Sequence, residues 1–184
     1  INKLSVNKKL NYCCIIGLNP SKGARSPKLW NECFNKLSIK CNFYPFDVEI
    51  NNLEKLVNWL KKDKFFIGGA VATPYKEKII KYLDIVEEEA EKIGAVNLIY
   101  KKNNKLLGSN TDGLGALYSL EKKLTSLNIK IKKLNNVIII GSGGVAKSVS
   151  IYLAKKIGKK NKIFFFGRNR SEIKKIIDLC NNFT

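Results

Sequence analysis

The sequence predicts an α/β fold in two consecutive parts, with the boundary near residues 110–113. Three observations lead there. Short β-branched runs alternate with stretches of helical spacing along nearly the whole chain, the pattern of strands connected through helices. The register changes once, after the polar stretch 125–135, into a compact strand–glycine turn–helix–strand unit. The composition is that of a packed protein, since 45% hydrophobic and 27% charged residues over 184 positions argue against a disordered chain.

Tyr12–Leu18 is a short apolar run ended by Asn19-Pro20, hence a strand followed by a loop, Asn19–Ser26. Pro27 suits the first turn of a helix capped by Ser26, and Leu29, Trp30, Cys33, Phe34 and Leu37 continue it at helical spacing. Asn42–Phe46 reads as the second strand, and Leu53, Leu56, Val57 and Leu60 mark one face of the next helix. Phe65–Thr73 is a third strand closed by Pro74. A helix from Tyr75 to Leu83 and a shorter acidic one from Ile85 to Lys92 follow. Val96–Tyr100 and Lys105–Ser109 flank Lys-Asn-Asn, a hairpin signal. Asp112 opens a long helix through Leu114, Leu117, Tyr118, Leu120 and Leu124. Val137–Ile140 and Ile163–Phe166 are strands on either side of a helix ending near Ile157.

A formal charge of +19 suggests a nucleic-acid binder at first sight. The split argues otherwise, with 31 Lys against 3 Arg beside 21 Asn. Arg is the residue that forks onto phosphates and guanines, whereas Lys, Asn and Ile share AT-rich codons. The lysines are spread along the chain (Lys61, Lys101, Lys132, Lys159), so the expectation is a solvated basic surface and no nucleic-acid partner. No apolar run approaches the roughly 18 residues a membrane helix needs, and no membrane partner is expected.

Five cysteines without a CxxC pair, in a chain without His, leave the usual zinc sets unfilled and suit reduced thiols, so no metal is expected. The lack of His also removes Ser-His-Asp and Cys-His catalysis, which leaves acid–base work to Lys, Asp, Glu, Tyr or Cys. A cytoplasmic location follows from the thiols and the lack of an apolar signal core, with an organelle open if a targeting segment was removed.

The turn after Val137–Ile140 reads Gly141-Ser142-Gly143-Gly144-Val145-Ala146. Gly141 permits a tight turn, Gly143 lets a pyrophosphate approach the backbone, and the small Ala146 allows close packing of helix on strand. The helix N-terminus adds amides and positive potential. At the end of the second strand, where an NAD site carries an acidic residue, this chain has Arg168-Asn169-Arg170. Guanidinium groups there suit a 2′-phosphate, so the cofactor expected is NADP in a Rossmann-type domain; surface arginines are the alternative.

Beyond that turn, Gly17-Leu-Asn-Pro20 with Arg25-Ser26-Pro27, then Val71-Ala-Thr-Pro74-Tyr-Lys76-Glu77, resemble two segments of the shikimate dehydrogenase family. Ile93-Gly-Ala-Val-Asn97 and Gly108-Ser-Asn110-Thr111-Asp112-Gly113 resemble two more, and Gly141–Ala146 with Gly167-Arg168-Asn169 resemble its NADP loops. The resemblance implies an N-terminal α/β substrate-binding domain, 1–111, followed by a truncated Rossmann-type NADP-binding domain, 112–184. It implies an oxidoreductase acting on CH–OH groups that reduces 3-dehydroshikimate to shikimate in aromatic amino acid biosynthesis. Lys76 and Asp112 would be its acid–base pair, and Ser26 and Asn97 would join them as substrate ligands. The bland alternatives are a helix cap for Ser26 and for Asp112 and a turn residue for Asn97.

The chain departs from the family pattern at Gly23 and Ala24, where the family has His-Ser, and at Ala70 and Ala72, where it has Asn and Thr. Thr73 is expected to point away from positions 70 and 72 by strand alternation. Either other groups compensate or the pocket takes a different substrate, as in a quinate/shikimate-type paralogue or a non-catalytic NADP-binding one. The chain opens on Ile1 and contains no Met, so it is expected to be a piece of a longer polypeptide. Its cofactor domain stops after about two strands, a half-built parallel sheet with unpaired edges that is not expected to be stable alone. The partner expected is a small-molecule substrate, in a homodimer or as one domain of a multifunctional chain.

Overall fold

A computed structural model of the chain describes residues 6, 9–134, 136–157 and 161–182; Asn135 and Lys159 lie outside the described residues. Contacts divide the chain into two compact units, Ile1–Ser109 and Asn110–Thr184.

The first unit is a six-stranded mixed sheet in the order β2-β1-β3-β5-β6-β4. Its strands are β1 (Asn11–Gly17), β2 (Cys41–Asp47), β3 (Phe66–Val71), β4 (Ile85–Val86), β5 (Leu98–Lys102) and β6 (Lys105–Ser109). Its helices are α1 (Pro20–Gly23), α2 (Ser26–Lys36), α3 (Leu53–Lys62), α4 (Tyr75–Lys78) and α5 (Glu88–Ile93). β1 pairs in parallel with both β2 and β3, so the three carboxyl ends meet at one edge. Alternation on β1 sends Tyr12, Cys14 and Ile16 into the main core, against Leu53, Leu56, Val57 and Leu60 of α3. All four helix positions read from the spacing are thus buried. The other face holds a thinner cluster, Phe34, Cys41 and Phe43 with Cys13 and Ile15. All five cysteines are free, and burial with the neighbouring Cys41 pushes the Cys13 thiol up to about 12.

β2 is an edge strand whose unpaired side is blunted. The Asn31 side chain donates to the Phe43 carbonyl (3.0 Å) and accepts from the Phe43 N–H (2.8 Å), and Pro45 removes a further donor.

Several elements differ from the sequence reading. The loop after β1 contains α1, held because the Ser21 N–H and hydroxyl both donate to Asp47 (2.9 and 2.5 Å). The helix expected over Tyr75–Leu83 is α4 followed by a separate 3-10 turn, Ile80–Tyr82. The Lys76 carbonyl accepts from Val96 N–H at 2.7 Å, which diverts it from the next helical turn. The acidic helix starts only at Glu88, because Ile85 and Val86 pair with Leu107 and Gly108 as β4. The β5–β6 hairpin sits two residues later on its first strand, since the two-residue turn at Asn103 and Asn104 (φ 51° and 59°) makes Lys102 and Lys105 its last pair.

The second unit contains α6 (Asp112–Ser126), β7 (Asn136–Ile140), α7 (Gly144–Ile157), β8 (Lys162–Phe166) and α8 (Arg170–Asn182). β7 and β8 form a parallel pair. Val137, Ile139, Ile163 and Phe165 are half-buried, whereas Ile138, Ile140, Phe164 and Phe166 are exposed on the other face. α6 packs along α7 through Leu117 and Leu124, but Leu114 and Tyr118, expected on its apolar face, are exposed. α8 was not foreseen, although Ile173, Ile176 and Cys180 give it an apolar stripe.

Leu56 is fully buried beneath β1. Leu56→Ala is expected to remove about 2–5 kcal/mol of stability, read as a lower urea midpoint at unchanged slope. A loss below about 1 kcal/mol would show that this core collapses around the gap.

Candidate functional site

In the first unit the site candidates gather at the carboxyl edge of the parallel strands. Val71, the last residue of β3, donates its N–H to the Asn97 carbonyl (2.8 Å). Asn97 in turn donates its N–H to the Ser109 carbonyl (3.1 Å), so its backbone bridges β3 and β6 and it is not a turn residue. Val96 N–H reaches the Lys76 carbonyl, which sets Lys76 beside the segment that carries Asn97. Tyr75, fully buried, hydrogen-bonds through its hydroxyl to the Val48 carbonyl and anchors the turn before Lys76. A chain of backbone bonds therefore holds Lys76, Asn97 and Ser109 in fixed order along this edge.

Ser26 departs from its expected capping role. Arg25 occupies the cap position of α2, Ser26 is the first helical residue, and no side chain caps the helix. Its hydroxyl is buried and has no hydrogen-bond partner among the described residues. A buried hydroxyl at a helix N-terminus without a protein partner carries a desolvation cost that an incoming acceptor relieves. Ala72 lies one residue past the end of β3, with its N–H on the Ile16 carbonyl (2.8 Å), and Thr73 is exposed. The alternation argument for Thr73 therefore does not reach it, since the strand has already ended.

One polar cluster on this edge was missed. Tyr100 and Ser109 donate their hydroxyls to the two oxygens of Glu87 (2.5 and 2.6 Å). The Ser109 hydroxyl, then that of Tyr100, holds the Glu87 carboxyl below the usual glutamate range. The associated stabilisation is complete above that ordinary range and fades as pH falls through the lowered value. β4 pairing with β6 sets Glu87 beside Ser109 and β5 pairing with β6 brings Tyr100 near, so no sequence spacing announces the cluster.

In the second unit, Gly141 has φ +118°, a conformation that a side chain resists, and donates its N–H to the Phe166 carbonyl (2.7 Å). Ser142 and Gly143 lead into α7, whose first turn carries Gly144, Val145 and Ala146. A Cβ built on Gly143 would meet nothing within 4 Å, so the space over this turn is open to a ligand. Gly167 stands against Gly141, since a Cβ on it would lie 3.7 Å from the Gly141 carbonyl carbon. The glycine turn and the Gly167–Arg170 segment thus share one edge. Arg168 and Arg170 are exposed there, free to reach a phosphate. The Asn169 side chain accepts from Ser171 Oγ (2.8 Å) and Glu172 N–H (3.2 Å), which makes it the cap of α8. These residues fit a dinucleotide carrying an additional phosphate.

Asp112 is not the cap of α6. Thr111 occupies that position, and Asp112 sits in the first turn, where its charge suits the helix dipole. Its N–H donates to Asn110 Oδ1 (3.1 Å). Among the described residues there is no cluster of metal-binding side chains, and no helix is long and apolar enough to cross a membrane.

An α/β unit with a mixed sheet followed by a unit with a glycine turn between a strand and a helix defines the class by fold, and known proteins narrow it. Residues 15–99 match the family described as shikimate dehydrogenase substrate binding domain. The shikimate dehydrogenase (NADP⁺) of Methanococcus vannielii is 37% identical over 171 residues, which is 93% of this chain and 56% of that protein. A crystal structure of a shikimate dehydrogenase with NADP⁺ superposes at TM-score 0.84 and 30% identity, over 97% of this chain and 58% of that one. The Listeria monocytogenes enzyme, solved with shikimate and NAD, gives TM-score 0.81 at 27% identity, over the whole of this chain and 62% of that one. The chain is thus similar to shikimate dehydrogenases, over residues 15–99 in the substrate-binding family and over most of its own length in these relatives. It spans about half the length of the curated relatives it matches, 56% in the case above.

Because the Ser26 hydroxyl makes no bond among the described residues, Ser26→Ala is expected to leave the thermal midpoint unchanged or to raise it slightly. A fall of several degrees in a melting curve would mean the hydroxyl has a structural partner.

Proposed function

We propose that the protein is an NADP-dependent shikimate dehydrogenase that interconverts 3-dehydroshikimate and shikimate, with residues 1–111 binding substrate and 112–184 beginning the NADP domain. The observation that carries this reading is the buried, unpartnered hydroxyl of Ser26, in a unit whose carboxyl edge also bears Lys76 and Asn97. A carboxylate on the substrate would satisfy that hydroxyl and the α2 N-terminus together. Asn97 would bond a ring hydroxyl.

Reduction of a ketone needs hydride at carbon and a proton at oxygen. NADPH supplies the hydride when bound, held by Gly141–Ala146 with Arg168 and Arg170 on its 2′-phosphate. In this reading Asn169 serves that site by capping α8, which orients the arginine segment. Lys76, as an ammonium, stabilises negative charge as it develops on the substrate oxygen and delivers the proton. Asp112 is its acid–base partner, passing the proton in the reverse direction. The substrates are small molecules, the location is cytoplasmic, and the working form is a homodimer or one domain of a multifunctional polypeptide.

A second reading rests on Ala24, Ala70 and Ala72, which offer no hydrogen bonds where the family has polar side chains. There the chemistry is the same and the substrate is a related cyclic alcohol such as quinate.

The test is NADP⁺ reduction followed at 340 nm with the intact protein, comparing shikimate, quinate and no substrate. Shikimate-dependent turnover that falls at least about 100-fold in Lys76→Ala is the expected result. Turnover unchanged in that variant would remove Lys76 from the chemistry, and preference for quinate would favour the second reading. Replacing Arg168 and Arg170 by Ala is expected to raise KM for NADP⁺ at least about tenfold while KM for NAD⁺ stays within about twofold. Equal effects on both cofactors would place neither guanidinium on the 2′-phosphate.

A further inference from the structure

The second unit contains a buried polar relay that the sequence did not announce. Ser148 lies on α7 one turn past Gly144 and is fully buried. Its hydroxyl donates to Asn110 Oδ1 (2.9 Å) and accepts from Gly113 N–H (2.8 Å). Asn110, itself 5% exposed, also accepts from Asp112 N–H (3.1 Å). One hydroxyl thus joins the helix that begins at the glycine turn to the Asn110 side chain before Asp112 and to the Gly113 backbone after it. The contact is close by design of the sequence, since a Cβ on Gly113 would stand 2.4 Å from Ser148 Oγ.

We propose that Ser148 is a positioning residue that ties the Asp112 end of α6 to the dinucleotide turn, so that an occupied turn holds Asp112 in its working place. The proposal rests on the reading of the chain as an NADP-dependent reductase with Asp112 in its acid–base pair. A nucleotide on the Gly141–Ala146 turn orders the first turns of α7. Ser148 is in the second of those turns and transmits the order through Asn110 Oδ1 and Gly113 N–H to the residues on either side of the Asp112 side chain. The link is directional chemistry rather than packing. Ala at 148 would fill the space but leave a buried N–H without an acceptor and a buried amide oxygen without one of its donors.

Ser150 provides a matched control. It is a buried serine on the same helix, and its hydroxyl donates back to the Ala146 carbonyl (2.5 Å) without reaching α6.

The experiment combines kinetics with amide hydrogen exchange on the intact protein, its Ser148→Ala variant and its Ser150→Ala variant. The expected result is a kcat for shikimate oxidation at least about tenfold lower in Ser148→Ala, with KM for NADP⁺ within about twofold of wild type. Saturating NADP⁺ is expected to slow exchange of the Gly113 amide in wild type and in Ser150→Ala, and not in Ser148→Ala. If Ser148→Ala and Ser150→Ala lower the thermal midpoint alike while both keep wild-type kcat, the hydroxyl is only a packing contact and the proposal is wrong. If wild type turns over neither shikimate nor quinate, the reading of function fails by itself, and the exchange data still decide the relay. Gly113 exchange in wild type that is indifferent to NADP⁺ overturns it.

Discussion

Parallel strand pairing sends carboxyl ends to one edge, and both units place their candidate chemistry on such an edge. In the first unit β1 pairs with β2 and β3 in the same direction, so Gly17, Asp47 and the Ala72–Lys76 segment leave the sheet together. In the second, β7 and β8 end in register at Ile140 and Phe166, which puts Gly141 beside Gly167. The crossovers that parallel pairing requires are the helices α2, α3 and α7, and two of these begin at residues of the proposed site, Ser26 and Gly144. Removing the pairing would scatter every one of these groups.

Buried polar groups in the two units behave in opposite ways, and the contrast is informative. Ser148 and Asn110 satisfy one another and the amides of Asp112 and Gly113, which fixes backbone at the start of α6. The Ser26 hydroxyl is satisfied by nothing among the described residues. A folded chain tolerates one such atom where a ligand completes it, at a cost of about 1–3 kcal/mol when the site is empty. Glu87 lies between these cases, an exposed carboxylate oriented by two hydroxyls at the edge that carries Asn97.

Ala24, Ala70 and Ala72 offer this edge no side-chain hydrogen bonds, while their backbone groups take part in its bonding. Ala72 still donates to Ile16, and Ala70 still pairs with Ile15 and Leu98 in the sheet. Side-chain hydrogen bonding can therefore change while the strand scaffold and the placement of Lys76 persist. In the second unit, β7 and β8 expose Ile138, Ile140, Phe164 and Phe166 on one face. Parallel strands in other proteins are covered on both faces, so this surface is apolar by the ordinary rule for its strand type.

The local pattern of the sequence determined the elements whose signal is short in range. Leu53, Leu56, Val57 and Leu60 announced α3 and its buried face, Asn103-Asn104 announced the hairpin, and Gly141–Ala146 announced the turn between β7 and α7. The proposed site residues Lys76, Asn97 and Asp112 each sit in a contiguous run, the kind of signal a sequence can present. Tertiary structure alone decided where distant backbone groups compete. Val96 took the Lys76 carbonyl and ended α4 early, Leu107 and Gly108 drew Ile85 and Val86 out of a helix, and Arg25 displaced Ser26 from the cap. The Ser148–Asn110 and Glu87–Ser109 contacts span 38 and 22 residues, so no spacing rule reaches them. Hydrogen bonds of that range depend on how strands and helices pack, which a one-dimensional pattern of apolar and polar residues does not encode.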